Sequence, residues 1–178
     1  RRVYGVHVQG QFYHGDTVFV TTGVWANATL ATLGVSMRVR PKKGQLLHLR
    51  SVVAAPEDWP VVRAPGGFYL ATLSDGRIVA GSTHEDVAGF DTDATFGGMQ
   101  ELLRTTLSLA PGLTGSTWLE TRTGLRPHTV GGIPVVGRVP NWEGVIVANG
   151  LGAIGLTAGP YFGAEIAKWV LGRPTELD

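Results

Sequence analysis

Three features of this 178-residue chain predict a mixed α/β fold. Strand-like alternation dominates the first half, and one helical repeat, Met99, Leu102, Leu103, Leu107 and Ala110, enters the second. The chain then closes on a strand, a glycine turn and a helix between Val145 and Leu171. Strands and helices that share the core in this way make the fold class α/β with an α+β mixture.

The elements follow in order. Val3 to Val8 and Phe12 alternate Val, Tyr and His and run into Gly15-Asp16. That pattern predicts a short antiparallel ribbon feeding a buried strand at Thr17 to Thr22, which Gly23 ends. Trp25 to Leu33 reads as a short helical stretch stopped by Gly34. Strand-like runs recur at Gly44 to Val53, Gly67 to Thr72 and Arg77 to Gly81, with Ser74-Asp75-Gly76 as the turn of a hairpin. The helix through Met99 and Leu107 stops at Pro111-Gly112. Thr117 to Thr121 and Val145 to Ala148 read as strands on either side of a Gly/Pro-rich loop from Gly124 to Pro140. Gly159, Gly163 and Ala167 recur every four residues on one face of the last helix, which predicts close helix-on-sheet packing there. Pro160 falls in the first turn, where its missing N–H costs no intrahelical bond.

The turn before that helix, Gly150, Gly152 and Gly155, is a formal G-x-G-x-x-G. A dinucleotide-binding βαβ unit needs a second strand ending in an acidic residue about 20 positions on. Only 23 residues follow Gly155, and Leu156 to Leu171 reads as helix, so no second strand fits. The segment is therefore expected to close a domain begun elsewhere. Two readings of its glycines stand side by side. They serve the geometry of a tight turn, or they bring backbone N–H groups and a helix start to a partly negative ligand group.

Composition sets the outer bounds. Hydrophobic residues make up 43% of the chain, enough for a core. The net charge is +1 and the fifteen Lys and Arg are scattered, Arg38, Arg40, Lys42 and Lys43 apart, which argues against nucleic acid as a partner. With no cysteine, disulfides, thiolate metal sites and cysteinyl-linked cofactors are excluded within the segment. No metal site is expected. No run of 18 apolar residues and no signal peptide occur, so a membrane span is not expected and the default location is cytoplasmic. The chain opens on Arg1 without an initiator methionine, and the expectation is a truncated segment.

Hydrolytic templates fail. There is no G-x-S-x-G elbow and no H-E-x-x-H, and the five histidines are too dispersed for ligand spacing. His84, in Gly81-Ser-Thr-His-Glu85, is the isolated acid/base candidate, against the plain reading of a surface histidine. Arg126 sits in Thr123-Gly-Leu-Arg-Pro127, where glycine and proline restrict the backbone around the guanidinium. A guanidinium fork held in this way suits bidentate capture of a carboxylate, while the structural alternative is a loop salt bridge.

The order of segments resembles the C-terminal part of the FAD-dependent amine oxidoreductases of the D-amino-acid oxidase and glycine oxidase family. The resemblance runs through Gly15-Asp-Thr-Val-Phe-Val-Thr-Thr-Gly-Val-Trp25, Pro41-Lys-Lys-Gly-Gln45, and Gly81-Ser-Thr-His-Glu85 with Gly89-Phe-Asp91. It continues through Gly124-Leu-Arg-Pro127, Ile133-Pro-Val-Val-Gly137 and Gly150 to Pro160. It implies a partial FAD-binding, Rossmann-like domain plus a mixed-sheet substrate domain. Residues 1–40 would be a returning part of the FAD domain, 41–120 the substrate domain and 121–178 the closing part of the FAD domain. The nucleotide-binding half would lie upstream of Arg1 and act as the missing partner.

Carried over by residue, the resemblance makes Arg126 the grip on the substrate carboxylate and Tyr69, in Gly67-Phe-Tyr-Leu-Ala71, a residue of the substrate pocket. Gly150, Gly152, Ala153, Ile154, Gly155 and Leu156 match the segment beside the flavin ring, with backbone donors toward its pyrimidine end. Thr22, Gly23 and Trp25 match a stretch near the cofactor. The implied reaction is hydride removal from the α-carbon of an amino acid or amine, giving an imine that water hydrolyses.

Departures narrow the substrate. Leu151 and Ala153 stand where some glycine oxidase relatives carry histidine and arginine, which counts against glycine, and Gly131 stands where many D-amino-acid dehydrogenases have aspartate. Two alternatives stay open: a non-catalytic module or one chain of a split flavoenzyme, and oxidation of an N-methyl amino acid or 2-hydroxy acid on the same scaffold.

Overall fold

The computed structural model describes residues 1–52, 58–86 and 89–177. They form two compact units, one of residues 1–41 with 126–178 and one of residues 42–125.

The first unit begins with a hairpin, β1 (Gly5–Val8) and β2 (Gln11–His14), turned by Gln9 and Gly10, both at positive φ. β3 (Val18–Val20) then runs parallel to β11 (Val145–Asn149), and β10 (Val135–Arg138) lies antiparallel on the other side of β11. The reason β11 is central lies in its composition, since Val145, Ile146 and Val147 are all buried. Val20, Leu30, Val139, Val145 and Val147 make the core of this unit, and Trp142 packs on it with Nε1 donating to the Leu33 carbonyl at 3.1 Å.

After β3 the chain turns at Gly23, φ +55°, through a 3₁₀ turn into α1 (Ala26–Leu30), and Gly34 in the left-handed region ends the next turn. After β11 it turns at Gly150 and Gly152 into α3 (Gly155–Val170). Both parallel strands therefore end in a glycine turn and a helix start.

The second unit is built on one sheet whose strands follow the order β5 (Val62–Arg63), β6 (Tyr69–Thr72), β7 (Arg77–Gly81), β4 (Val39–Arg50) and β8 (Glu85–Asp86). β9 (Thr117–Thr129) also pairs with β4. The predicted hairpin is present, with β6 and β7 in register from Tyr69↔Gly81 to Thr72↔Ile78 and Asp75 capping the Arg77 N–H at 3.2 Å. Leu47, Leu49, Phe68, Leu70, Ile78 and Ala80 face the core with Leu102 of α2 (Phe96–Leu109) and Leu113. The Thr95 hydroxyl caps α2 by accepting from the Gly98 N–H at 3.1 Å.

Three expectations are corrected. The strand placed at Gly44 to Val53 begins at Val39, ahead of Pro41, and Val53 lies outside the described residues. Gly124 to Thr129 are strand rather than loop, because β9 continues through them. Gly124 has no left-handed φ, and a β-branched run at Thr117, Thr121, Thr123 and Thr129 favours the extended chain. Gly159 and Gly163 do not pack against a sheet, since a Cβ on either would meet nothing within 4 Å.

Candidate active site

In the first unit the two glycine turns open at the carboxyl ends of the parallel pair β3 and β11, the end at which open α/β sheets take ligands. A cleft of about 340 Å³ lies there. Gly23, Asn149, Gly150 and Gly152 line it from the turns, Gly155, Gly159 and Gly163 from α3, and Pro127 from β9. Because Gly159 and Gly163 carry no side chain and meet no neighbour, a Cβ would project into open space and a ligand can approach the helix backbone.

One buried side chain joins the turns. Asn149, 5% exposed, donates from Nδ2 to the Gly23 carbonyl at 2.8 Å and accepts the Gly150 N–H on Oδ1 at 2.7 Å. The Gly150 donor is thus engaged within the chain and is not available to a ligand. Gly150 has a second reason to be glycine. Its φ is +81°, and a Cβ would stand 2.4 Å from Thr129 Cγ2. Thr129 is itself buried and donates to the Ile133 carbonyl at 2.6 Å, so it is not free to yield.

Among the expected cofactor residues, Gly23, Gly150, Gly152 and Gly155 line the cleft. Thr22, Trp25, Ala153, Ile154 and Leu156 are exposed and stand outside its lining, Leu156 at 97%. Arg126 is half-buried, one residue before Pro127, in the extended chain of β9. Pro127 approaches both turns: its Cγ is 4.0 Å from a Cβ built on Gly23 and its carbonyl 3.9 Å from one built on Gly152. The backbone beside Arg126 is therefore part of the cleft wall.

Tyr69 belongs to the second unit. It is half-buried and pairs with Gly81, while its neighbour Phe68 is 5% exposed in the core, so alternation puts Tyr69 on the opposite face from the core. Asn149 was missed by the sequence reading. A single Asn before Gly-x-Gly carries no periodic signal, and the link to Gly23 spans 126 positions.

The second unit holds a buried polar network that was also missed. Lys43, 2% exposed, donates from Nζ to Asp91 Oδ2 and to the Asp93 carbonyl, each at 2.9 Å. These contacts raise the ammonium pKa and hold the Asp91 carboxyl below the usual carboxylate range. Gln45 donates to Glu85 Oε1 at 2.8 Å and to Thr95 Oγ1 at 2.9 Å, and accepts the Thr95 N–H at 3.0 Å.

No helix among the described residues is long and apolar enough to cross a membrane. The model of the FAD-dependent oxidoreductase family matches residues 1–169. The chain is 49% identical to the uncharacterized oxidoreductase YurR of Bacillus subtilis strain 168, over 99% of this chain and 48% of that protein. It is 34% identical to a glycine oxidase of Pseudomonas putida, over 89% of this chain and 42% of the other. Among solved structures, an iminodiacetate oxidase from Chelativorans sp. BNC1 superposes with a TM-score of 0.88 at 43% identity, covering 95% of this chain and 46% of that one. The chain thus spans about half the length of the relatives it matches.

Proposed function

This chain belongs to the family of FAD-dependent oxidoreductases, and from that membership we propose that it is the C-terminal part of an enzyme that oxidises an amino acid or a secondary amine. The carrying observation is the glycine-lined cleft at the carboxyl ends of β3 and β11, with the backbone next to Arg126 in its wall. The fit to a flavin rests on close approach. Gly152, Gly155, Gly159 and Gly163 leave backbone exposed where any side chain would intrude, and an aromatic ring system needs that space.

In this reading the first unit is the returning part of the FAD domain and the second the substrate domain. Gly23, Gly150, Gly152 and Gly155 hold the cofactor, and Thr22, Trp25, Ala153, Ile154 and Leu156 flank the stretch that does so. When bound, FAD supplies the acceptor for the substrate hydride. The protein's task is orientation and electrostatics. The first N–H groups of α3 present fixed dipoles that favour negative charge. Arg126 grips the substrate carboxylate with its guanidinium fork and holds the Cα–H bond in one direction. Tyr69 contributes a hydroxyl to the substrate pocket. Once the amine is neutral, loss of hydride leaves an iminium ion that water hydrolyses to the oxo acid and an amine or ammonia.

The test uses the full-length protein with its flavin and no oxygen. D-amino acids, glycine, sarcosine and iminodiacetate are added in turn and the visible flavin band is followed. Bleaching by at least one amine is expected, and Arg126→Ala should slow it about a hundred-fold through lost alignment. A bound flavin that no member of the panel bleaches would overturn the reading.

A further inference from the structure

His48 is buried in the second unit, yet it does not belong to that unit's core. Leu47 and Leu49 of β4 are core residues, so alternation puts His48 between them on the other face of the sheet, where it is only 5% exposed. Its Nδ1 is buried and has no hydrogen-bond partner among the described residues. A polar atom left in that state costs stability, and a leucine at this position would not.

Charged groups from β4, β7, β9 and the β6–β7 turn bear on this imidazole. Glu120 of β9 brings Oε1 to 3.9 Å from Nδ1. That oxygen is already shared by Arg122 Nη2 at 2.6 Å and by Arg77 Nη1, from β7, at 3.7 Å. Asp75, in the turn, is engaged by Arg77, which donates from Nε at 2.7 Å and from its backbone N–H at 3.2 Å. Arg50 of β4 pairs in register with Arg77 and adds a further guanidinium at the edge of the group. The two carboxylates are therefore already offset by arginines while His48 is neutral. A proton on His48 places one more cation there, away from water. Burial foremost, and then the Arg122 guanidinium, hold the imidazole below the ordinary 6.5 of histidine.

We propose that His48 is a proton-linked catch on β9: with the imidazole neutral, β9 lies closed on β4, and in mildly acidic solution proton uptake by His48 releases it. The direction follows from where the proton prefers to sit. With β9 open and the imidazole in water, His48 takes a proton near 6.5, and the closed form resists it. Closure is therefore fully favoured above that value and weakens as pH falls through it. Glu120 does not produce the same loss in this range, because its hydrogen bond from Arg122 holds its carboxyl below the ordinary 4.5 and keeps it charged. β9 is also the strand that carries Arg126. The catch itself does not depend on the function proposed above.

The experiment follows backbone amide exchange at residues 118–122 of the full-length protein from about pH 7.5 to about 5.5, across the histidine range. Each rate is divided by the intrinsic rate at that pH, and residues 99–107 of α2 serve as the internal reference. Protection at 118–122 should fall several-fold toward the acid end while α2 keeps its own. His48→Leu should abolish the fall. Arg122→Gln should reduce it, because Glu120 is then left to pair with the imidazolium. In the wild type the His48 ring protons should titrate below 6.5. No fall in the wild type, an equal fall in α2, a fall that survives in His48→Leu, or a His48 midpoint at or above 6.5 would each overturn the catch. Should His48→Leu not fold, an undiminished fall in Arg122→Gln overturns it equally.

Discussion

Gly150 is the residue on which the shape of the cleft depends most directly, since two separate constraints meet at it. A left-handed backbone costs an L-residue roughly 1–2 kcal/mol, and overpacking against a neighbour that cannot move costs about 1–3 kcal/mol more. Gly150→Ala in the full-length protein is therefore expected to lower the urea midpoint and weaken flavin retention together. An unchanged midpoint would show that neither the backbone angle nor Thr129 constrains this position. Asn149 acts beside it by a different means: its amide satisfies a donor and an acceptor from two turns far apart in sequence, and so sets the distance between the walls of the cleft. Neither role requires contact with a substrate.

At the level of elements, α3 is tied to the residues that follow it through one carboxylate. Glu165, 3% exposed, accepts from Lys168 Nζ at 2.5 Å, from Thr175 Oγ1 at 3.0 Å and from the Glu176 N–H at 2.8 Å. The Lys168 contact foremost, then the Glu176 N–H, pulls its carboxyl down to about 2. Tyr161 donates to Glu176 Oε2 at 2.6 Å, and that bond pushes its phenol up to about 12. The sign of the acid effect follows from the direction of the shift. A carboxyl lower in the folded state than in the unfolded chain stabilises the fold fully above its ordinary value of 4.5, and that stabilisation disappears as pH falls toward about 2. Amide exchange in residues 173–177 should accelerate across that window, and Glu165→Gln should exchange fast at neutral pH and lose most of the pH dependence. Equal protection in variant and wild type at pH 7 would remove Glu165 as the anchor.

For the molecule as a whole, the two units present different chemistry to be completed. The first carries the glycine cleft, and the chain spans about half the length of the relatives it matches. The chain of residues 1–178 alone is therefore expected to lose FAD on gel filtration, and the full-length protein to keep it. Tight one-to-one FAD on residues 1–178 would contradict this. The second unit has its own core around Leu47, Phe68, Ile78 and Leu102, and its own buried network around Lys43 and Gln45.

What the amino-acid sequence determined by itself was local or ordered along the chain. The β6–β7 hairpin followed from Ser74-Asp75-Gly76 between apolar runs, α2 from the spacing of Met99 to Ala110 before Pro111, and the stop at Gly34 from glycine chemistry, because each depends on neighbours a few residues away. Family membership was legible for a related reason, since several weak motifs kept a fixed order and the family model spans residues 1–169. Tertiary structure alone decided the rest. It made Gly124 to Thr129 a strand by extending β9, and it turned the Gly159 and Gly163 face from packing surface to cleft wall. It buried Lys43 beside Asp91, 48 positions away, and it set Asn149 against Gly23. Contacts of that range are chosen by how whole elements pack, and the identity of a single Asn or Lys carries no periodicity that would announce its partner.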